Sequence, residues 1–255
     1  MRIVMLLGQR LRALMFAGAQ VLLTPLFALV ALATFPLPHL QRYRLIRYYA
    51  YTMLYLARVI CGIRYRVLHA ERIPPGPCVV LAKHQSAWET FAFQKILPPQ
   101  VWVLKRELLW IPFFGWGLAL TRPIAIDRAA GARAFRQLLA QGRDRLASGF
   151  WVVVFPEGTR VAPGASAPYH PGGAHLAART GTTVLPVAHN AGYCWGKGWL
   201  EKRPGLVTVS IGPPIDPHGL TTEEINRRAR EWIEAEVRRM GSAAEADLQG
   251  AARSA

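Results

Sequence analysis

The sequence predicts an α/β fold in which a mixed, largely parallel sheet is flanked by helices and preceded by an N-terminal membrane-associated helical segment. From residue 63 onward, short apolar runs alternate with stretches of helical periodicity, which is typical of strands joined by helical crossovers. Most of these runs are apolar throughout, as expected for strands that are covered on both faces. Before residue 63 the chain is instead basic and rich in long apolar stretches, which indicates a different environment.

No charged residue occurs within residues 13–38. About 20 apolar residues suffice to cross a bilayer, so this stretch could cross once. Pro25 near its middle also permits a bent segment that enters and leaves by the same leaflet. A third interpretation is a cleavable signal peptide that ends near Ala31-Leu32-Ala33, although the stretch is long for one and the arginine-rich segment after it would oppose translocation.

The charge of the chain is concentrated at its N-terminal end. The 255 residues carry a formal net charge of +16, and residues 1–70 contain nine arginines and no acidic residue. Since this stretch is also strongly apolar and shows no aromatic RNA-binding motif, an anionic membrane surface fits it better than nucleic acid does. Residues 41–62 form a basic, tyrosine-rich amphipathic helix suited to the headgroup region, or else a helix packed on its own domain.

Three segments are predicted. Residues 1–62 form hydrophobic and basic amphipathic membrane-binding helices, residues 63–240 form the α/β domain, and residues 241–255 form a disordered tail of small and polar side chains. Three scattered cysteines without CxxC spacing are typical of a reducing, cytosolic setting. The expected strands are 64–68, 77–82, 101–104, 123–126, 151–155, 183–188 and 206–211, and the expected helices between and after them are 86–96, 132–147, 173–180 and one that begins at a capping box, Thr221 to Glu224.

A histidine and a carboxylate lie directly after the second predicted strand, at His84 and Glu89. Five helical steps turn roughly 140° away from the starting face, so the two could not meet within one helix. With His84 in the turn and Glu89 in the first helical turn, the carboxylate can reach back to Nδ1 and leave Nε2 as a base. The competing interpretation is a capping box, in which Ser86 and Glu89 only close the helix N-terminus. A zinc site is not indicated, because neither His-Glu-x-x-His spacing nor a cysteine pair is present.

A second polar cluster follows the strand at residues 151–155. Gly158 lets the backbone approach an anion, Thr159 offers a hydroxyl and an N–H, and Arg160 offers a planar fork for phosphate. Glu157 is interpreted as a partner that orients Arg160. The alternative is an ordinary charged turn with a Glu–Arg surface pair. Lys105 and Arg128 are two further cations at predicted strand ends, and either could instead be a solvated charge.

Together these blocks resemble the 1-acyl-sn-glycerol-3-phosphate acyltransferase family, the PlsC-like glycerolipid acyltransferases of phospholipid synthesis. His84 and Glu89 resemble its His-x4-Asp motif, with Glu in place of the usual Asp and with Lys83 where Asn is common. The block Phe155-Pro156-Glu157-Gly158-Thr159-Arg160 matches without a mismatch. The family's second block has its counterpart in Lys105-Arg106-Glu107-Leu108 with Pro112-Phe113-Phe114-Gly115 and Ile126-Asp127-Arg128. Its apolar fourth block has its counterpart in Val184-Leu185-Pro186-Val187.

The resemblance implies an enzyme that transfers an acyl group from an acyl-CoA or acyl carrier protein thioester to the sn-2 hydroxyl of lysophosphatidate. His84 and Glu89 would be catalytic, and Lys105, Arg128, Glu157, Gly158, Thr159 and Arg160 would bind the phosphate. No metal or redox cofactor is implied, and the expected place is the cytoplasmic face of the bacterial inner membrane. The alternatives are an acyltransferase for another lysolipid, such as a lyso-ornithine lipid, and a non-catalytic lipid-binding protein. The acyl-chain ruler is expected among Trp102, Trp110, Phe113, Phe114 and Trp116.

Overall fold

A single seven-stranded sheet forms the centre of the molecule. The computed structural model describes the backbone of residues 2–253 and the side chains of residues 6–127 and 129–241. The strand order is β1-β7-β6-β2-β5-β3-β4, and every neighbouring pair is parallel except β6 and β7. The predicted mixed, largely parallel sheet is therefore confirmed. The strands are β1 Ile63–Leu68, β2 Val79–Ala82, β3 Gln100–Lys105, β4 Ile124–Ile126, β5 Trp151–Val154, β6 Val184–His189 and β7 Gly205–Ile211.

Helices cover both faces of this sheet. The α-helices are α1 Arg2–Ala33, α2 His39–Ile46, α3 Tyr48–Cys61, α4 Trp88–Ile96, α5 Phe114–Leu120, α6 Ala132–Ala147, α7 Gly172–Thr180, α8 Ala191–Cys194 and α9 Thr222–Arg253. Short 3-10 helices lie at Ala70–Arg72, Arg106–Trp110 and Arg128–Ala130. The sequence indicated neither α5 nor α8, because both are short and lack a helical repeat long enough to detect.

The central strands divide their side chains between two apolar clusters. In β2, Val80 points into the cluster under α1, α3 and α4, whereas Val79 and Leu81 point into the cluster under α6, α7 and α9. All of β2 is fully buried, which explains why its sequence is apolar without alternation. Phe16 of α1 and Met53 of α3 share the first cluster, so these helices complete the core on that face of the sheet.

The helix expected at residues 41–62 is divided at Arg47 into α2 and α3. The two parts pack in different places, because Tyr43 contacts Phe150 edge-on while Met53 packs under the sheet. Arg42, which the sequence placed on the membrane-facing helix, is instead buried and donates to the Phe35 carbonyl at 2.5 Å, so it closes the turn after α1. Gly62 ends α3 in the left-handed region at φ 70°, which glycine adopts without strain.

The last helix begins where the sequence predicts. Thr221 Oγ1 accepts the Glu224 N–H at 3.2 Å, but the Glu224 carboxylate binds Arg227 and Arg228, so only half of the capping box forms. The helix continues to Arg253, through the segment for which the sequence predicts a disordered tail. Alanine, glutamate, leucine and glutamine in this segment have high intrinsic helix propensity.

Candidate active site

A cavity of about 500 Å³ opens at the carboxyl ends of the central strands. Open α/β sheets commonly place their sites at this end. The sequence-predicted residues that line it are His84, Lys105, Gly158, Thr159 and Arg160, which follow or end the adjacent strands β2, β3 and β5. The structure therefore brings a histidine and a group of phosphate-binding candidates, more than sixty positions apart in the chain, into one cavity.

His84 lies in the turn after β2 and is oriented by Glu89. Its Nδ1 lies 2.8 Å from Glu89 Oε1, and Glu89 is fully buried in the first turn of α4. Because Nδ1 is occupied by this contact, Nε2 is the ring nitrogen available to a substrate. The His84 side chain remains 19% exposed, so it is held in place and still reachable from the cavity.

The two interpretations of Glu89 describe the same carboxylate. Oε1 also accepts the backbone N–H groups of Gln85 at 3.0 Å and Ser86 at 2.8 Å, while Ser86 Oγ accepts the Trp88 N–H at 3.1 Å. Closing the helix N-terminus and orienting the imidazole are thus done together. Burial alone would raise the pKa of Glu89, but the imidazoles of His189 and His84 and the Ser86 N–H outweigh it and hold the pKa below its ordinary value.

A second histidine, His189, contacts the backbone just before His84. It is fully buried at the end of β6, where its Nε2 lies 2.8 Å from the Lys83 carbonyl oxygen and its Nδ1 accepts the Ala191 N–H at 3.2 Å. An Nδ1 that accepts a hydrogen bond carries no proton, so this ring is the neutral Nε2–H tautomer. Burial also lowers the pKa of His189. The sequence analysis missed this residue, because a histidine at the end of an apolar run does not show which distant residue it will contact.

The segment after β5 fixes the main chain of His84 on both sides. The His84 N–H donates to Glu157 Oε2 at 2.8 Å, and the His84 carbonyl accepts the Val161 N–H at 2.7 Å. The ring of Phe155 stacks on the imidazole with centroids 4.0 Å apart. Gly158 lies between these contacts with φ 68°, a left-handed conformation that glycine adopts most easily. The two sequence motifs are therefore one structural unit.

The sequence suggested that Glu157 orients Arg160 and helps to bind the phosphate. The structure instead pairs Glu157 with another cation and places it outside the cavity lining. Glu157 is 4% exposed, and its Oε1 lies 2.6 Å from the Nζ of Lys83, which is fully buried. Lys83 Nζ also lies 2.8 Å from Glu234 Oε1 of α9, and Glu234 accepts the Tyr169 hydroxyl at 3.0 Å. The correction has a simple cause, since a buried carboxylate pairs with the nearest buried cation, and that cation is Lys83.

This buried group holds two carboxylates for one lysine. Burial raises the pKa of Glu157 against the opposing effect of Lys83, and burial together with the carboxylates of Glu157 and Glu234 raises the pKa of the Tyr169 phenol. Tyr169 therefore stays a hydrogen-bond donor. The group joins β2, the segment after β5 and α9, and Glu157 links it to the turn that carries His84 by accepting the His84 N–H.

The cationic side of the cavity is formed by Arg160 and Lys105. Among the residues whose side chains are described, neither forms an ion pair, so both charges are free for an anionic ligand. Thr159 is exposed beside them. The side chain of Arg128, a further candidate, lies outside the described residues. Its neighbour Asp127 pairs with Arg106 at 3.2 Å.

The rest of the cavity wall is mainly apolar, and α1 supplies part of it. Of the aromatic residues expected to set the chain length, Trp102, Phe113 and Phe114 line the cavity. Trp110 and Trp116 do not line it and are 64% and 45% exposed, so the structure removes them from that set. The wall is completed by residues that the sequence gave no reason to select, among them Thr24, Phe27, Ala28, Ala31, Tyr43 and Tyr49.

The buried charges predict a specific response to Lys83→Met. Two carboxylates would then lie buried without a cation, which should lower the free energy of unfolding by about 3–5 kcal/mol. Lys83→Met combined with Glu157→Gln should recover part of this loss, because the amide oxygen can still accept the His84 N–H. Denaturant unfolding in detergent measures both, with Lys95→Met, on the exposed side of α4, as the control. Equal losses in the single and double variants would contradict the assigned pairing.

Comparison with known proteins identifies the family. Residues 64–190 match the family model described as Acyltransferase. The chain is 47% identical over 201 residues to a 1-acyl-sn-glycerol-3-phosphate acyltransferase of Pseudomonas aeruginosa, covering 77% of this chain and 78% of the relative. It is 33% identical over 174 residues to the mouse alpha enzyme of that name, covering 66% and 61%.

The fold is shared with a solved structure. The crystal structure of the 1-acyl-sn-glycerophosphate acyltransferase PlsC from Thermotoga maritima superposes with a TM-score of 0.76 at 23% identity, over 94% of this chain and 98% of that one. Sequence and fold thus agree with the oriented histidine and the cationic cavity. The chain belongs to the 1-acyl-sn-glycerol-3-phosphate acyltransferase family.

Proposed function

We propose that this protein transfers an acyl group from an acyl thioester to the sn-2 hydroxyl of lysophosphatidate and so forms phosphatidate. The observation that carries the proposal is a single cavity that holds an imidazole oriented by a buried carboxylate together with two cations without ion-pair partners among the described side chains. The names of the relatives from Pseudomonas aeruginosa and mouse support the same reaction.

The reaction follows from the orientation of His84. Nε2 takes the proton of the acceptor hydroxyl as that oxygen attacks the thioester carbonyl, and Glu89 stabilises the imidazolium through Nδ1. The tetrahedral intermediate then collapses, the new ester keeps the acyl group, and the thiolate leaves with the proton from Nε2. His84 returns to its neutral form, so the cycle is balanced.

Substrate placement follows from the two ends of the cavity. Arg160 and Lys105 bind the acceptor phosphate and set the distance between its free hydroxyl and His84. The apolar wall receives an acyl chain, and the donor is acyl-CoA or an acyl carrier protein thioester. A thioester is already activated, so the reaction needs no resident metal or redox cofactor.

The position of α1 supports action at a membrane surface. Among the described residues, Leu6–Ala33 is the one helix long and apolar enough to cross a bilayer. Yet α1 buries Phe16 and Ala31 against the domain and lines the cavity, while Leu11 and Leu22 are 60% and 76% exposed. A helix held along the domain in this way can lie in the interface and deliver a lysolipid to the cavity. Because acyl thioesters are made in the cytosol, we place the protein on the cytoplasmic face of the bacterial inner membrane.

Two substitutions test the base and its orienting group. His84→Ala should fold, bind membranes and lose on the order of 10²–10⁴ in kcat. Glu89→Gln should fall within the same range, because an amide oxygen can orient the ring but cannot stabilise its positive charge. The measurement is acyl transfer in detergent from a panel of acyl-CoA chain lengths to lysophosphatidate, with lyso-ornithine lipid as the comparison acceptor. Wild-type turnover in His84→Ala would contradict the mechanism, and preference for the ornithine lipid would contradict the assigned acceptor.

Arg160→Ala should act mainly on acceptor binding. Losing one charge-assisted contact to phosphate is worth about 1.5–3 kcal/mol, which corresponds to a rise in the acceptor KM of roughly 10–100-fold with a smaller change in kcat. The matched control is Arg136→Ala on the exposed side of α6, which should change neither constant. An acceptor KM unaffected by Arg160→Ala would remove this residue from the phosphate site.

A further inference from the structure

A small hairpin between α8 and β7 projects from the domain beside α1. Trp195 and Lys202 form an antiparallel bridge at its base, and the Gly196 N–H donates to the Glu201 carbonyl at 2.8 Å. The Glu201 carboxylate is exposed and accepts the Gly198 N–H of the same hairpin at 3.2 Å. We call residues 195–202 the Trp199 hairpin.

The base of the Trp199 hairpin is anchored on α1. Phe16 of α1 packs edge-on against Trp195 with centroids 5.0 Å apart, and Lys202 Nζ lies 5.2 Å from the Phe16 ring and 4.7 Å from the Trp195 ring. Lys202 is 5% exposed and donates to the Trp199 carbonyl at 2.6 Å. The hairpin is thus fixed to α1, a helix that also exposes many large apolar side chains.

The tip of the Trp199 hairpin is apolar and points away from the domain. Trp199 is 73% exposed and Leu200 is 41% exposed. The neighbouring side chains Lys197 and Arg203 are exposed cations, and the single acidic residue of the hairpin is engaged with its own backbone. An exposed tryptophan between cations is the composition of segments that insert at the headgroup level of a membrane.

The surroundings extend the same pattern. On α1, near Phe16, Leu11, Leu14 and Met15 are each more than half exposed, and Val59 near the end of α3 is 60% exposed. The sulfur of Cys61 lies 3.8 Å from the Arg12 carbonyl, which places the end of α3 beside the same part of α1. The exposed arginines of this region are Arg10, Arg12, Arg58 and Arg64.

We propose that the Trp199 hairpin is a second membrane anchor, which inserts Trp199 and Leu200 into the interface of an anionic bilayer beside α1. The proposal rests on the membrane-surface placement given under the proposed function. Its support is continuity with the exposed face of α1 and charge complementarity to anionic headgroups. This second contact would fix the tilt of the domain on the membrane, because attachment through one helix alone leaves the domain free to rotate about that helix.

The test places an environment-sensitive fluorophore at the tip of the full-length protein through Trp199→Cys. The three native cysteines are buried, and burial raises the pKa of each thiol, to about 11 for Cys194, so they react slowly. The matched control is Ala140→Cys on the exposed side of α6, which lies on the opposite face of the sheet. Both proteins are mixed with phosphatidylcholine vesicles with and without phosphatidylglycerol.

On anionic vesicles the label at position 199 should shift to the blue and lose access to aqueous iodide, while the label at position 140 should stay accessible. Trp199→Ala with Leu200→Ala should lower the partition coefficient on anionic vesicles by about tenfold. A label at position 199 that stays accessible on bound protein would overturn the proposal. A blue shift without vesicles would overturn it too, since another copy of the chain would then cover the tip.

Acyl transfer in detergent separates this proposal from the enzymatic one. The Trp199→Ala, Leu200→Ala protein should acylate lysophosphatidate in micelles at the wild-type rate, because neither residue lines the cavity. An active enzyme with an accessible label would refute the anchor alone. A protected label at position 199, together with no acyltransferase activity in the unlabelled wild-type protein, would refute the enzymatic function alone.

Discussion

The main-chain N–H of His84 is held by the carboxylate of Glu157, and much of the site depends on this one bond. It joins the turn after β2 to the segment after β5. These two strands are neighbours in the sheet, although they lie about seventy residues apart in the chain. The Val161 N–H holds the His84 carbonyl on the other side, so the main chain of the proposed base is fixed on both sides. Such fixing matters because even small displacements of a reacting group slow a reaction strongly. Lys83 keeps Glu157 in place from within the core, and Glu89 keeps the imidazole in place from the helix side.

The departures from the family pattern make physical sense in this arrangement. At position 83, lysine stands where asparagine is common, and α9 supplies Glu234 as a second carboxylate for its ammonium group. At position 89, glutamate stands where aspartate is usual, and its longer side chain lets one oxygen accept from His84, Gln85 and Ser86 together. The extra methylene is thus accommodated by bonds to the local backbone.

The cavity lies between the α/β domain and the N-terminal helix α1. Its polar end is built from the ends of β2, β3 and β5, and its apolar end is built partly from α1. Because α1 contributes to both the core and the cavity, the proposed membrane attachment and the proposed substrate binding share one element. A lysolipid that reaches the cavity along α1 would keep its acyl chain out of water while its phosphate meets Arg160 and Lys105.

The sequence alone determined the seven strands to within two residues at each end, because buried parallel strands require apolar runs of a recognisable length. It also offered the pairing of His84 with Glu89 beside a capping box as its alternative, and the structure shows one carboxylate making both sets of contacts. It failed at Glu157 and Glu234, and the reason lies in distance along the chain. Glu234 sits in a helix rich in exposed Glu–Arg pairs, and nothing local distinguishes it from them.

Only the tertiary structure decided which charges are buried together and which remain for the substrate. Lys83 and Lys105 both follow or end an apolar strand, yet one is fully buried between carboxylates and the other is exposed at the cavity. The difference arises because β2 is central and covered by α7 and α9, whereas β3 lies next to the edge strand β4. A buried cation requires a paired carboxylate to offset its loss of hydration, whereas an exposed cation stays hydrated and is available to an anionic ligand.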